Sequence, residues 1–329
     1  MDPLTHSLTG LFLGRAGLNR FAEHAPWILI LAANAPDIDI VTLAGGQLAY
    51  LNYHRHLTHS LVAMPVMALL PVVAVRLFVR GPFRWLGAYA ISLLAVASHL
   101  LLDYTNTYGI RLLLPFSGRW FRLDLTAVVD LWIWAVLLVA LAGPVLVRLV
   151  NAEIGARSRH AGRGFAIFAL VFLLVYDGGR AVLHSRAAAT LDSRIYAGAA
   201  PLRVAALPSP GNPFAWRGLV ETANSYIVED LNLLGEFDPS RGAVFYKAEM
   251  SPAVKAANGT RDFQDFFKFS QFPIEVSIPV AEPDGGTRVE AMDMRFGTPQ
   301  QPAFVVTAIV NSRGQVVRSW FTFGAVRPR

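Results

Sequence analysis

Ionisable side chains interrupt the apolar first 186 residues of this 329-residue chain. A charged or titratable group near lipid hydrocarbon is costly, so each one is a candidate functional group. The set is His6, His24, Asp37, Asp39, His54, His56, His59, His99, Asp103, Asp124 and Asp130. His99 and Asp103 are four positions apart, so on a helix both side chains point the same way. Imidazole and carboxylate ligands without thiolate suit Zn²⁺, Mn²⁺, Fe or Ni, and the pattern therefore predicts a divalent-metal site.

The other groups have spacings that fit the same chemistry. His56 and His59 are three positions apart and share a face if a helix begins near His56. Asp37 and Asp39 follow Pro36, which fits a loop or the end of a helix. Each group also has an ordinary alternative: a buried hydrogen-bonded pair, a histidine facing lipid headgroups, or an aspartate that caps a helix.

Composition indicates which elements must position these groups. The chain is 54% hydrophobic and 16% charged, below the roughly 25% charge of soluble proteins. Five apolar stretches are long enough to span a membrane, and a sixth, at 4–17, is short and has a face of glycines suited to close helix packing. The five are 26–43, 60–79, 85–102, 126–150 and 165–183. This pattern excludes one uniform soluble domain and a disordered chain.

Charge separates the chain into two parts. Residues 1–186 contain 15 Arg, no Lys and 9 acidic residues, whereas residues 187–329 are neutral, with 14 basic and 14 acidic side chains. The excess Arg lies between apolar stretches, where it reports membrane topology rather than nucleic-acid binding. The chain has no Cys, which excludes disulfides and thiolate metal sites.

Topology places the ionisable groups on one membrane face. Successive spans cross the membrane in opposite directions, and these groups occur alternately at the start of one span and the end of the next. They therefore lie on one face, and only His24 lies on the other. Nine Arg, including Arg157 and Arg159, fall on the face of His24 and four on the face of the cluster, so the cluster is expected outside the cytoplasm. This clustering at one surface counts against an ion pathway, which needs groups at all depths.

The C-terminal part has the pattern of a small β-rich domain. Expected strands are 216–228, 243–249, 274–280, 287–296, 304–310 and 316–323, with turns at 284–286 and 311–314 and a short helix at 262–269. A proline-rich stretch at 208–213 reads as a linker or turn. The predicted fold is an α-helical polytopic membrane domain of five to six helices (1–186), followed by a small, mainly antiparallel α+β extramembrane domain (187–329).

Four motifs in the first part resemble the YdjM-type family of membrane-bound, predicted metal-dependent hydrolases. They are Asp2-x-x-Thr5-His6, Pro36-Asp37-Ile38-Asp39, His54-Arg55-His56-x-Thr58-His59-Ser60 and Ser98-His99-x-x-x-Asp103-x-x-Asn106-x-x-Gly109. More distantly, the His/Asp pattern is similar to the zinc-dependent phospholipase C and nuclease group, which binds three zinc ions and cleaves phosphate esters. This chain lacks the N-terminal Trp ligand of that group. The resemblance implies a metal-dependent phosphoesterase.

These observations give one expected site. The expected metal ligands are His6, Asp37, Asp39, His56, His59, His99 and Asp103, holding one to three divalent ions, Zn²⁺ or else Mn²⁺. The expected catalytic and substrate-binding groups are His54, Arg55, Asp124 and Asp130. The expected protein is a hydrolase of the bacterial inner membrane that cleaves a phosphoester in a lipid or lipid-linked substrate, with no nucleic-acid partner. The alternative is a membrane protein with a structural metal site or a role in handling ions.

Overall fold

The structure is a computed structural model that describes residues 1–154, 161–281 and 285–324. Arg157 and Arg159, which enter the topology count, and Asp284 of the first expected turn lie outside the described residues. The chain divides into two compact units. The first unit consists of Met1–Asp39, Arg55–Arg186 and Pro208–Trp216, and the second of Ile40–His54, Ala187–Leu207 and Arg217–Arg329.

Helices dominate the first part of the chain. They are α1 Pro3–Ala16, α2 Ala25–Ala32, α3 Gln47–Tyr53, α4 Met64–Phe78, α5 Trp85–Thr105, α6 Leu131–Glu153 and α7 Ala161–Asp192. Three segments among the described residues are 3-10 helical, at Leu18–Arg20, Ala35–Gly45 and Leu57–His59. The helices α5 and α6, together with Gly162–Asp192 of α7, are each long and apolar enough to cross a membrane. Two bent pairs, α2 with Ala35–Gly45 and Gln47–His59 with α4, pass the same test together.

The N-terminal helix is positioned by a cap and by small residues. The Asp2 carboxylate accepts from the backbone N–H groups of Leu4 and Thr5, which satisfies donors that the first turn leaves free. Gly10 lets α1 approach α2 closely, because a Cβ there would lie 2.5 Å from the carbonyl oxygen of Leu29. Buried alanines, valines and isoleucines of α2, α4 and α5 form one apolar cluster beside this contact.

Two expected helices differ from the prediction. The stretch 26–43 is not one helix: α2 ends at Ala32, and Pro36, which lacks a backbone N–H, lies in the 3-10 segment that follows. The helix expected near His56 does not form, because His56 has a non-helical backbone (φ −95°, ψ −121°) and precedes a three-residue 3-10 turn. The helix α4 starts only at Met64.

Two four-stranded sheets make up the C-terminal part, with strands in chain order. They contain β1 Arg203–Pro208, β2 Ala215–Glu221, β3 Ser225–Asn232 and β4 Ala243–Tyr246, then β5 Pro273–Pro279, β6 Thr287–Asp293, β7 Phe304–Val310 and β8 Val316–Phe323. The pairs from β5 to β8 are antiparallel, as is β3 with β4. Two short helices lie between the sheets in sequence, α8 Pro252–Asn258 and α9 Arg261–Phe267. The helical region followed by antiparallel sheets confirms the predicted fold class.

Three details of this part were not predicted. The expected single strand 216–228 is two strands, because Thr222 and Ser225 close a tight turn through the Thr222 N–H and the Ser225 carbonyl at 2.8 Å. The strand β1 and the helix α8 fall where the sequence indicated no regular element.

The expected turn at 311–314 is present, with the Asn311 side chain accepting from the backbone of Arg313 and Gln315.

Candidate metal centre

Four of the expected ligands meet in one buried cluster. His99 and Asp103 lie one turn apart on α5, His59 ends the Leu57–His59 turn, and Asp37 lies early in the Ala35–Gly45 segment. The side chains of His59, His99 and Asp103 are fully buried, whereas Asp37 is 22% exposed. One ligand atom from each of the four lies within 4.8 Å of the others, so the group could hold a metal ion.

The facing atoms are imidazole nitrogens and carboxylate oxygens. His59 Nε2 and His99 Nε2 are 3.1 Å apart, and each lies 3.3 Å from Asp103 Oδ2. Asp37 Oδ1 is 3.4 Å from His59 Nε2 and 3.7 Å from His99 Nε2. The ligand atoms of a tetrahedral zinc site, each about 2.0–2.1 Å from the ion, are about 3.3 Å apart. The separations in the cluster therefore fit a single ion bound between these atoms.

The hydrogen-bond network assigns a tautomer to each histidine. His99 Nδ1 lies 2.7 Å from the Ala33 carbonyl oxygen, which can only accept, so Nδ1 carries the proton. His59 Nδ1 faces Asp39 Oδ2 at 3.3 Å and the Thr58 hydroxyl at 3.0 Å. In neutral rings both Nε2 atoms therefore present lone pairs to each other and to the two carboxylates. A cation bound among these acceptors would offset the repulsion between them.

Asp39, expected as a ligand, holds the His59 loop in place. Its Oδ2 accepts from the Arg55 backbone N–H at 2.9 Å and from the Thr58 hydroxyl at 3.0 Å, and it faces His59 Nδ1. This is how a carboxylate orients a metal-binding imidazole without touching the ion. In the structure Asp39 therefore acts on the cluster through His59.

Arg55 occupies the other side of Asp103. Its NH2 lies 3.0 Å from Asp103 Oδ1, and its NH1 donates to the Asn106 side-chain oxygen at 3.0 Å. The amino group of Met1 also contacts Asp103 Oδ1. The buried guanidinium therefore neutralises the oxygen of Asp103 that faces away from His59 and His99. Asn106 completes this arrangement, because its amide donates to Asp103 Oδ1 at 3.3 Å.

His6 lies directly against the cluster. Its ring stacks on that of His99 with centroids 3.8 Å apart, and its Nε2 is 3.4 Å from Asp103 Oδ1. Neither ring nitrogen has a hydrogen-bond partner among the described residues, although the residue is fully buried. It is adjacent to the four-residue group but is not one of its members.

The remaining expected site residues, His54, His56, Asp124 and Asp130, are not members of the four-residue group. His54 belongs to the second unit, where it caps α3 and stacks on Tyr50 at 4.6 Å. His56 is half-buried just before the Leu57–His59 turn and is not among the four clustered ligands. Asp124 pairs with Arg122.

Asp130 caps the helix α6. Its Oδ1 accepts from the backbone N–H groups of Trp132 and Ile133, and the Tyr176 hydroxyl lies 3.2 Å from both carboxylate oxygens. These contacts satisfy the carboxylate within the helical bundle. The structure does not bring Asp130 to the metal cluster.

Two supporting groups were not visible as site residues in the sequence. The Ala33 carbonyl sets the tautomer of His99, and a backbone group leaves no residue-type signal. Asp2 accepts from the indole N–H of Trp134 at 3.0 Å in addition to capping α1, which ties α1 to α6. The role of Asp2 as a cap could be recognised in the sequence, because Asp followed by Pro is a typical start of a helix.

Large apolar side chains on the exposed side flank the ligands. Ile38 is 50% exposed next to Asp37, and Leu57 and Leu61 are 49% and 50% exposed on either side of His59. The same short segments therefore direct polar groups inward and apolar groups outward. That is the arrangement expected of a segment surrounded by lipid.

A known family matches the part of the chain that contains this centre. The family profile for "YdjM inner membrane protein" matches residues 1–188, which include the whole cluster. The chain is 32% identical over 151 residues to the "Uncharacterized protein YfhP" of Bacillus subtilis (strain 168). That alignment covers 43% of this chain and 46% of the relative, so the chain spans about half of the relative it matches. No solved structure matches the chain.

Proposed function

The chain belongs to the YdjM inner membrane protein family, and we propose that it is a metal-dependent hydrolase that cleaves a phosphoester in a membrane lipid or lipid-linked substrate. One observation carries the proposal. Two imidazole Nε2 atoms and two carboxylates converge in a buried space, an arrangement that a bound cation would stabilise.

We assign one ion to the centre, Zn²⁺ in preference to Mn²⁺. Two imidazoles and two carboxylates at tetrahedral separations suit zinc. A second ion on the Oδ1 side of Asp103 would face the Arg55 guanidinium, which is already 3.0 Å from that oxygen. The charge of Arg55 therefore disfavours a second ion on this side of Asp103.

A zinc ion would supply Lewis acidity, acidifying a water molecule and polarising a phosphoryl oxygen. The protein residues provide the positioning. Asp39 and the Ala33 carbonyl fix the two imidazoles, and Arg55 holds Asp103. Asp37, the most exposed of the four ligands, marks the side from which a substrate reaches the centre.

The apolar rim supports a lipid as the substrate. Ile38, Leu57 and Leu61 expose about half of their surface beside the ligands, and a water-soluble substrate would gain nothing from them. A lipid substrate could keep its chains against this rim while its phosphate reaches the ion.

A structural metal site is the second candidate. Catalytic zinc sites have three protein ligands and one open position, whereas structural sites are closed by four. The four protein donors at this centre favour a closed site. Asp37 decides between the two, because hydrolysis requires it to leave its position or share it with water.

We also propose that the metal centre and the extramembrane domain at 187–329 lie outside the cytoplasm, from the Arg distribution. The chain lacks Cys, so single-cysteine variants report sidedness directly. Leu234→Cys, at a side chain that is 72% exposed, should react with a membrane-impermeant maleimide on intact spheroplasts. Arg80→Cys, on the opposite face, should react only after permeabilisation.

The function is tested by metal content and lipid hydrolysis on the same detergent-purified samples. Wild type should contain about one zinc per chain and release phosphate or headgroup from at least one class of phospholipid or lipid phosphate. His99→Ala should lose both, and His24→Ala, on the other face, should lose neither. Stoichiometric zinc without hydrolysis of any lipid phosphoester, together with unfolding of His99→Ala, would favour the structural site.

A further inference from the structure

A second lipid-facing feature lies at the other end of the helix pair that flanks the metal centre. An apolar groove of about 290 Å³ runs between α2 and α4. Trp27 and Leu31 line it on one side, and Ala74, Val75 and Phe78 on the other. Trp27 is 65% exposed and Phe78 is 90% exposed, so the walls of the groove are open to the surroundings.

The groove is separate from the metal centre. It begins beside His24, which precedes α2, whereas Asp37 follows α2. On α4 it is lined by the last turns, whereas His59 precedes that helix. The 15 residues of α4 span about 22 Å at the rise of an α-helix, so the two features lie at opposite ends of one helix.

Positive charge is concentrated at the groove end. Arg76 lies in the last turn of α4, and its guanidinium NH1 donates to the Val79 carbonyl at 2.5 Å, which holds it beside the groove wall. Arg80 follows and is exposed. Arg84 is already neutralised by the Glu23 carboxylate at 2.8 Å. Within the described residues, no carboxylate pairs with Arg76 or Arg80.

We propose that this groove binds one anionic phospholipid, with an acyl chain along the apolar walls and the phosphate at Arg76 and Arg80. Lipids that merely surround a membrane protein need neither a concave apolar wall nor arginines that lack a carboxylate partner. The side on which these arginines lie is the one that the Arg distribution assigns to the cytoplasm, where anionic lipids attract basic residues. The site is independent of the proposed hydrolase reaction, because it uses none of the metal ligands.

Native mass spectrometry of the full-length protein in detergent tests the proposal. Titration with phosphatidylglycerol should give one retained lipid, and phosphatidylcholine of the same chains should bind at least tenfold more weakly. Arg76→Gln/Arg80→Gln should lower phosphatidylglycerol affinity about 25-fold, since each basic residue near a charged lipid surface contributes about fivefold. The double variant should lower phosphatidylcholine affinity much less, because the choline cation already offsets the charge of that phosphate.

A second variant tests the groove itself. Ala74→Phe fills the apolar wall and should abolish retention of both lipids. Arg148→Gln and Ala142→Phe, at exposed positions of α6, make the same changes outside the groove and should bind like wild type. Glycerol phosphate at 1 mM should not displace the lipid, since it lacks the acyl chain. Equal binding of both lipids, or wild-type retention in Ala74→Phe, would overturn the proposal.

Discussion

Two buried groups of charges, one in each unit, differ in how they are satisfied. In the second unit, Asp293 and Arg295 are fully buried and form a closed pair. The Asp293 oxygens accept from the Arg295 side chain and from the backbone of Arg295 and Gln271, and the guanidinium lies over Phe269 and Phe296. The cluster around His59 and His99 instead leaves acceptors facing each other.

The difference separates a structural group from a functional one. A closed pair needs nothing beyond the chain, because each charge is hydrogen-bonded within the fold. Under the proposed function, the cluster of four ligands is completed by a cation from outside the chain. Variants in the closed pair should therefore change stability at any metal concentration, whereas a variant of Asp37, the cluster ligand with the most exposed side chain, should change stability mainly through the metal.

Breaking the closed pair should have the largest effect. Arg295→Ala leaves the Asp293 carboxylate buried without its partner, which costs about 3–5 kcal/mol of unfolding free energy. The loss should be the same with zinc and with chelator, as measured by thermal unfolding in detergent. Arg261→Ala, which removes a 93% exposed arginine of a surface pair, is the control and should stay within about 0.5 kcal/mol. A metal-dependent loss in Arg295→Ala would erase the contrast between the two groups.

Removal of the ion should have the next largest effect. Zinc at 100 times its dissociation constant should stabilise wild type by about 2.7 kcal/mol relative to chelated protein. Asp37→Asn should lose this increment, because it weakens one of the four ligands. Arg295→Ala should keep it, although its baseline is lower. If chelation empties the protein of metal without changing its melting temperature, the cluster is not completed by a cation.

Loss of the Asp39 carboxylate, which contacts His59, should weaken zinc binding without abolishing it. Asp39→Asn keeps the shape of the side chain but weakens its hold on His59 Nδ1, so zinc affinity should fall about 10–100-fold. Competition with a fluorescent chelator measures the affinity. Thr58→Val removes only a neutral hydroxyl contact and should have a smaller effect than Asp39→Asn. An Asp39→Asn protein that cannot bind zinc at all would instead make Asp39 a ligand.

The sequence predicts which residues contribute to the metal centre better than it predicts how their side chains are arranged. The four-residue spacing of His99 and Asp103 survives in the structure because a regular helix transmits it. The pairing of His56 with His59 depends on a helix that does not form, and His56 is absent from the cluster. Local irregularity after Pro36 likewise determines that Asp37 faces the ion and Asp39 faces His59.

The fold shows the same division. Long apolar stretches predict α5, α6 and α7 because hydrophobicity alone decides them. The stretch 216–228 looks like one strand, since the turn between β2 and β3 rests on Thr222 and Ser225, which also occur within strands. The Arg55 contact with Asp103 joins residues 48 positions apart, and single-sequence spacing carries no signal for it.

Acidification should have the smallest effect of these tests, because the Asp293–Arg295 pair should lose its contribution to unfolding free energy only at low pH. Burial opposes the charge of Asp293, but the guanidinium of Arg295 and the backbone N–H groups outweigh it and hold the pKa of the carboxyl below its ordinary value. A depressed pKa in the folded state gives stability that is complete above the unfolded pKa, near 3.9, and is lost as pH falls through the folded pKa. With chelator present, the difference in unfolding free energy between wild type and Asp293→Asn should therefore be constant from pH 7 to about pH 4.5 and shrink only at lower pH. A difference that stays constant down to about pH 3 would mean that the folded and unfolded pKa values of Asp293 are the same, and that Arg295 does not stabilise its charge.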